Sequence, residues 1–305
     1  MADIRIAIIG FGKIARDQHI PAIAADPAFA LVAVATRAGA EDAGVPVYRD
    51  YREMLASIRP DAVAICTPPG PRHAIARYCL EAGADALLEK PPGATLGEVA
   101  DLAALASRLG RSLFTTWHAQ FNAPVARAAE VVAREGLRAL RIEWLEDVEK
   151  WHPGQDWIWQ AGGFGVFDAG INALSIATRL APAPLLVRSA ELVMEARGQQ
   201  PAAARLEMAC ADANGRIEAH MDWRHKGQER WTIAIETGAG TRLLLSDGGA
   251  MLQINDDSPI AGGAGEYPAL YARFAELVAT RRSHIDTEPL RIVADTLLLA
   301  RRILP

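Results

Sequence analysis

Up to about residue 121, short apolar runs alternate with stretches whose apolar residues recur at three- and four-residue intervals. IRIAIIG (4–10), ALVAVAT (30–36), DAVAICTPP (61–69), ADALLEKPP (84–92) and SLFTTWHAQ (112–120) predict strands with little polar alternation, as expected of a sheet buried on both faces. Residues 13–25, 51–58, 71–83 and 95–110 predict helices; the last carries Leu96, Val99, Leu102, Leu105 and Leu109 near helical spacing. Strands and helices in alternation predict a doubly wound parallel sheet, and such sheets bind ligands at the carboxyl ends of their strands. After one more helix (123–135) the rhythm becomes period two, in LRIEWLEDV (140–148), VRSAELVMEAR (187–197), ARLEMACAD (204–212), RIEAHMDWRH (216–225), RWTIAIET (230–237) and TRLLLSD (241–247). That pattern, broken by short Gly-containing turns, predicts a large, mostly antiparallel open sheet. A last helix is expected over 288–303, packing back on the first domain.

The first strand runs into Gly10-Phe11-Gly12-Lys13-Ile14-Ala15, a G-x-G-x-x-A turn at the start of a helix. Gly10 allows a tight turn, Gly12 allows close approach of the backbone, and Ala15 lets helix pack on strand. The free N–H groups and dipole of that helix suit a pyrophosphate, so the motif predicts a dinucleotide. The expected fold is therefore α/β: a Rossmann domain over 1–121, and an α+β domain over 122–305 for substrate binding and oligomerisation. The second strand ends in Thr36-Arg37 rather than in an acid. A hydroxyl and a guanidinium suit the 2′-phosphate of NADP, so NADP is expected to be accepted, alone or together with NAD. Gly10, Gly12, Lys13, Ile14, Thr36, Arg37, Thr67, Pro68, His73, Glu89 and Lys90 are the candidate cofactor contacts.

Composition narrows the classes. Half the 305 residues are hydrophobic, 23% are charged and the net charge is −5, as in an ordinary globular protein. Bulk charge argues against nucleic acid, and no apolar run is long enough to span a membrane. With a strand beginning at residue 4, no signal peptide is expected. Cys66, Cys79 and Cys210 are scattered and predict reduced thiols in a cytoplasmic protein. The histidines and cysteines lack ligand spacing, so no metal is expected.

GFGKIA…HIPAI, CTPPGPRH and EKPP, followed by GGFGVFDAGINAL (162–174), resemble in order the motifs of the glucose–fructose oxidoreductase/inositol dehydrogenase family. The resemblance implies nicotinamide-dependent oxidation or reduction, with Lys90 of EKPP and Asp168 in catalytic roles. Many members carry His four residues after that Asp; this chain has Asn172, which can orient a hydroxyl but cannot carry a proton. With EKPP and EKWHPGQDWIW, the chain is similar to the L-arabinose and D-galactose 1-dehydrogenases of the family, which oxidise C1 of an aldose to a lactone.

Asp168 and Asn172 are four apart in a predicted helix and so share a face. A first-turn acid is also favoured by the helix dipole alone. Lys90 follows a strand at the ligand-binding edge. Trp151, His152, Glu146, His118 and Trp231, together with Asn172, are candidate sugar contacts: aromatic faces for C–H groups, polar atoms for hydroxyls. The same tryptophans suit a core equally well. An uncovered sheet face predicts a homodimer or homotetramer. The alternatives are a carbonyl or keto-sugar reductase and a non-catalytic sugar or cofactor sensor.

Overall fold

In a computed structural model, residues 3–37, 39, 43–196, 198–211, 215–263 and 265–304 are described. Arg197 and Asp212, each placed at the end of a predicted strand, lie outside them.

The chain runs β1 (Ile4–Ile9), a π-helical turn (Ala15–His19), α1 (Ile20–Ala25), β2 (Phe29–Ala35), β3 (Val47–Tyr48), α2 (Tyr51–Ile58), β4 (Ala62–Ile65), α3 (Pro69–Glu81), β5 (Asp85–Leu88), α4 (Leu96–Leu109) and β6 (Leu113–Thr115). It continues with α5 (Ala123–Glu135), β7 (Leu137–Leu145), α6 (Val148–Trp151), α7 (Phe167–Leu180), β8 (Leu185–Met194), β9 (Pro201–Cys210), β10 (Arg216–Asp222), β11 (Arg230–Thr237), β12 (Arg242–Ser246), β13 (Met251–Ile254) and β14 (Ile260–Ala261). It closes with α8 (Glu266–Thr280), α9 (Glu288–Leu299) and β15 (Arg301–Ile303). Two units result: residues 1–118 with 267–287, and 119–266 with 288–305.

The first unit holds a six-stranded sheet in the order β3-β2-β1-β4-β5-β6, parallel throughout. That is the order of a doubly wound dinucleotide-binding fold. Ile6, Ile8, Val34, Val63, Ile65 and Leu87 are fully buried, each contributing about 1.5–3 kcal/mol of apolar burial. The strands are shorter than the apolar runs suggest. β4 ends at Ile65, β5 at Leu88 and β6 at Thr115. Pro68, Pro69, Pro91 and Pro92 have no N–H to donate to a ladder, and Pro69 instead opens α3. α8 completes this unit: Tyr267, Tyr271 and Phe274 are buried, and the Phe274 ring stacks on Phe29 and Phe114 at 6.0 and 6.2 Å.

The second unit holds a nine-stranded sheet in the order β14-β13-β12-β11-β7-β10-β9-β8-β15. It is mostly antiparallel, yet β7 lies between antiparallel β11 and parallel β10. That parallel pair requires a long crossover, which α6, α7, β8 and β9 supply. The expected last helix stops at Leu299, and Arg301–Ile303 adds a strand parallel to β8 instead. The edge of β8 offers a hydrogen-bond ladder that overrides the continuing apolar spacing. α9 lies on α7 and β8, where the Arg291 guanidinium donates to the Leu185 carbonyl at 2.7 Å.

Candidate active site

Because the first sheet is parallel, the residues following β1, β2, β4 and β5 share one edge. Gly10 stands there at φ +94°, and a Cβ on it would lie 2.9 Å from the Cys66 carbonyl carbon and the Thr67 nitrogen. Only glycine fits. A Cβ on Gly12 would meet open space, which leaves the turn accessible from outside. Residues from Lys13 onward are helical, with a π turn over Ala15–His19 and Ala15 fully buried. Lys13 is exposed and bonded to Asp17; Ile14 is half-buried. Thr36 is half-buried, Arg37 is exposed, and Pro68 precedes the first residue of α3. Thr67 Oγ1 is buried with no hydrogen-bond partner among the described residues. An open glycine turn at a helix start, a buried hydroxyl without a partner and a basic residue after β2 fit a nicotinamide dinucleotide. His73 Nε2 bonds Asp101 on α4 at 2.8 Å, which ties it to that neighbouring helix.

Glu89 is the hub of the edge. It is 3% exposed, and its Oε1 accepts from Tyr267 Oη at 2.6 Å and from His19 Nε2 at 2.9 Å. Its Oε2 accepts from the Lys90 backbone N–H at 2.8 Å. His19 Nδ1 faces Tyr271 Oη at 2.7 Å. Burial opposes charge on both partners, yet the neighbours prevail. Bonds and charge from His19, with His118 and Tyr267, hold the Glu89 carboxyl well below its usual range. Cys66, Tyr271 and Glu89 hold the His19 pKa well above its usual value. Glu89 and His19 thus form a buried carboxylate–imidazolium pair, and burial pushes Tyr271 up to about 12. His118 opens a short 3₁₀ turn, its ring stacked on Tyr267 at 5.5 Å. Lys90 is half-buried and joined to Pro91 by a cis peptide.

In the second unit, GGFG sets the start of α7. A Cβ at Gly163 would lie 2.2 Å from the Trp157 carbonyl oxygen, and buried Phe164 takes φ +72°. A bulky residue held in the left-handed region stores strain just ahead of the candidate acid. Asp168, in the first turn of α7, is 7% exposed and lies 3.7 Å from His152 Nε2. Asn172 stands one turn on, its Oδ1 buried with no partner among the described residues. Glu146, buried just after β7, accepts from Trp223 Nε1 at 2.7 Å and from Trp231 Nε1 at 2.6 Å. The His152 ring rests against Trp223 at 5.1 Å, and Trp151 against Trp231 at 5.4 Å. Trp151 is exposed and donates to Glu229. Asp168, Asn172, His152, Glu146, Trp151 and Trp231 therefore belong to one cluster. Within it Glu146 orients tryptophans besides offering oxygens to a ligand.

Three residues escaped the sequence reading. Trp223 is the fully buried link between Glu146 and His152. Arg16 lies over the Phe11 ring at 4.6 Å and donates to the Gly39 carbonyl beyond β2. His19 stood in the quoted HIPAI motif, and a histidine buried in the first turn after a cofactor motif is the signal that marks it.

A profile for an oxidoreductase family with an NAD-binding Rossmann fold, GFO_IDH_MocA, matches residues 4–116. The chain belongs to the glucose–fructose oxidoreductase/inositol dehydrogenase family. It is 43% identical to a galactose 1-dehydrogenase of Pseudomonas fluorescens over 99% of this chain and 98% of that one. The crystal structure of a D-galactose-1-dehydrogenase protein from Rhizobium etli superposes with a TM-score of 0.92 at 44% identity, covering 100% and 97% of the two chains. A 3-ketoreductase from Actinomadura kijaniata shares the fold at a TM-score of 0.87 and 20% identity, over 99% of each chain. Among the described residues no helix is long and apolar enough to cross a membrane.

Proposed function

We propose that the protein is an aldose 1-dehydrogenase that oxidises C1 of D-galactose, L-arabinose or a similar sugar to the lactone and accepts NADP. The observation that carries the reading is the α7 cluster: Asp168 beside His152, with the Asn172 oxygen, unpartnered among the described residues, one turn away and tryptophan faces around them. End-to-end identity of 43% with a galactose 1-dehydrogenase supports the substrate class. The nicotinamide supplies the hydride chemistry. Asp168, assisted by Lys90, takes the proton of the anomeric hydroxyl as the C1–H bond breaks. Asn172 and His152 orient other hydroxyls, and the tryptophans pack on C–H faces. Gly10, Gly12 and the helix that follows hold the pyrophosphate, Thr67 and Pro68 a ribose, and Thr36 and Arg37 the 2′-phosphate.

The test is a panel of aldoses and keto-sugars assayed with NADP and NAD, alongside Asp168→Ala. Aldose-dependent reduction of cofactor is expected, with turnover of the variant down about 10²–10⁴-fold and cofactor affinity unchanged. Keto-sugar reduction without aldose oxidation makes the protein a reductase. Tight cofactor binding without turnover makes it a sensor. Arg37→Ala should raise the KM for NADP about tenfold or more, the size of a lost charge-assisted bond, and leave that for NAD nearly unchanged. Equal effects reject the 2′-phosphate assignment.

The nine-stranded sheet supports a homo-oligomer. Arg141, Glu143, Arg205, Glu207, Glu218 and His220 line one depression on it, with both signs interleaved. A second copy related by a two-fold axis can match such a surface to itself. Light scattering at micromolar concentration should give a multiple of the chain mass, and a monomer mass rejects the assembly.

A further inference from the structure

We propose that Arg72 is the positioning residue for Lys90; the inference rests on the reading of Lys90 given above. Arg72 is 2% exposed, in the first turns of α3. Arginine is rarely buried to that degree, and a cation near a helix N-terminus opposes the helix dipole. Helix stability therefore does not explain its place. Its hydrogen bonds do. One terminal nitrogen donates to the carbonyls of Glu89 and Pro91, the residues on either side of Lys90, and the other donates to the carbonyl of Thr67. The segment it grips is Lys90-Pro91-Pro92, and the segment beside it is Thr67-Pro68-Pro69. The two prolines of each run have no N–H, which leaves each run one backbone donor at most, and its carbonyls are met from outside.

A guanidinium suits this task because its donors form a rigid planar fork that reaches several acceptors at fixed angles. The ammonium of a lysine is a single point and cannot span the three carbonyls. On the opposite side the Lys90 N–H is held by the Glu89 carboxylate, itself fixed by His19 and Tyr267. The backbone carrying Lys90 is thus clamped through the carbonyls that flank it and through its own N–H. A side chain that must meet a reacting hydroxyl gains from such a base, since a displacement of about 1 Å costs on the order of 10²-fold in rate.

The experiment is a double-mutant cycle. Arg72→Lys is made in the wild-type chain and in Lys90→Ala, with D-galactose and NADP as probes. In the wild-type chain Arg72→Lys should lower kcat about 100-fold and change the galactose KM less than about threefold. In the Lys90→Ala chain it should change kcat less than about twofold, because the group it positions is gone. An equal fall in both backgrounds would show a merely structural residue and overturn the proposal. Wild-type turnover in Lys90→Ala alone overturns the catalytic reading of Lys90 instead. Loss of turnover in Lys90→Ala but not in Arg72→Lys sinks only the role of Arg72. Where Arg72→Lys does not fold, Arg72→Gln takes its place in the cycle. Hydrogen exchange reads the clamp without any substrate. The amides of Glu89, Lys90, Gly93 and Ala94 should exchange about tenfold faster in Arg72→Lys than in the wild-type chain, with Leu87 unchanged. Unchanged exchange at those amides rejects the proposal whatever the sugar proves to be.

Discussion

Each unit buries one glutamate at its candidate site, and the two are held in opposite ways. Glu89 is gripped by an imidazolium, a phenol and a main-chain N–H, and its own contact is to the peptide that carries Lys90. Glu146 is gripped by two indole N–H groups, and its contacts are to the aromatic walls around Asp168. The first is an ion pair; the second accepts from two neutral indoles. A buried carboxylate needs charge-assisted bonds in either case. The choice of partner decides what else it can do. An ion pair fixes a backbone rigidly but couples it to pH. Indoles fix ring planes and leave them indifferent to pH.

The largest effect that distinguishes them is on stability. Glu89→Gln removes the carboxylate bonded directly to His19 and leaves a buried cation, which costs about 3–5 kcal/mol. Glu146→Gln keeps one acceptor and strands one indole donor, for about 1–3 kcal/mol. Urea unfolding at pH 6, followed by circular dichroism, measures both. Equal losses would mean that His19 carries no charge. The two also separate in function. Glu146→Gln should raise the KM for sugar with cofactor affinity intact, because Trp223 and Trp231, which donate to it, belong to the second unit. A change in cofactor affinity of the same size would place Glu146 in a different role.

The difference also explains what the sequence disclosed. Glycine, proline and helical or period-two spacing act locally, so the β1–Gly10–Gly12 turn, α4, α5 and the Asp168–Asn172 face were legible. The pairing of β7 with β10 was not, since a strand's pattern names its buried face and not its neighbours. The chain end was misread because Leu298 and Leu299 continue a helical spacing although both side chains are exposed. Arg72 falls at the start of the helix expected over 71–83, and no spacing there singles it out from the other cations of the chain. The role of Glu146 was seen only in part: its place after a strand was visible, but the tryptophans that claim it come from positions 223 and 231. Clusters assembled from distant segments leave residue types in the sequence and no spacing.

The smallest effect is the most diagnostic, because it follows from charge alone. His19 has a pKa raised by folding, so its contribution is complete below the usual 6.5 and is lost as pH rises through the higher folded value. Glu89 has a pKa lowered by folding, so its contribution is complete above the usual 4.5 and is lost as pH falls through the lower folded value. The pair is therefore at full strength between those usual values and weakens first on the alkaline side. His19→Gln removes the titrating partner and keeps a hydrogen-bond donor toward Glu89. The stability difference between wild type and His19→Gln should shrink from pH 6 toward pH 9, by about 1.4 kcal/mol for each unit by which folding raises the His19 pKa. The penalty of Glu146→Gln should stay flat across the same range, since indole N–H groups do not titrate. A wild-type to His19→Gln difference that is flat with pH would make His19 a neutral hydrogen-bond donor, and the contrast between the two glutamates would reduce to one of shape.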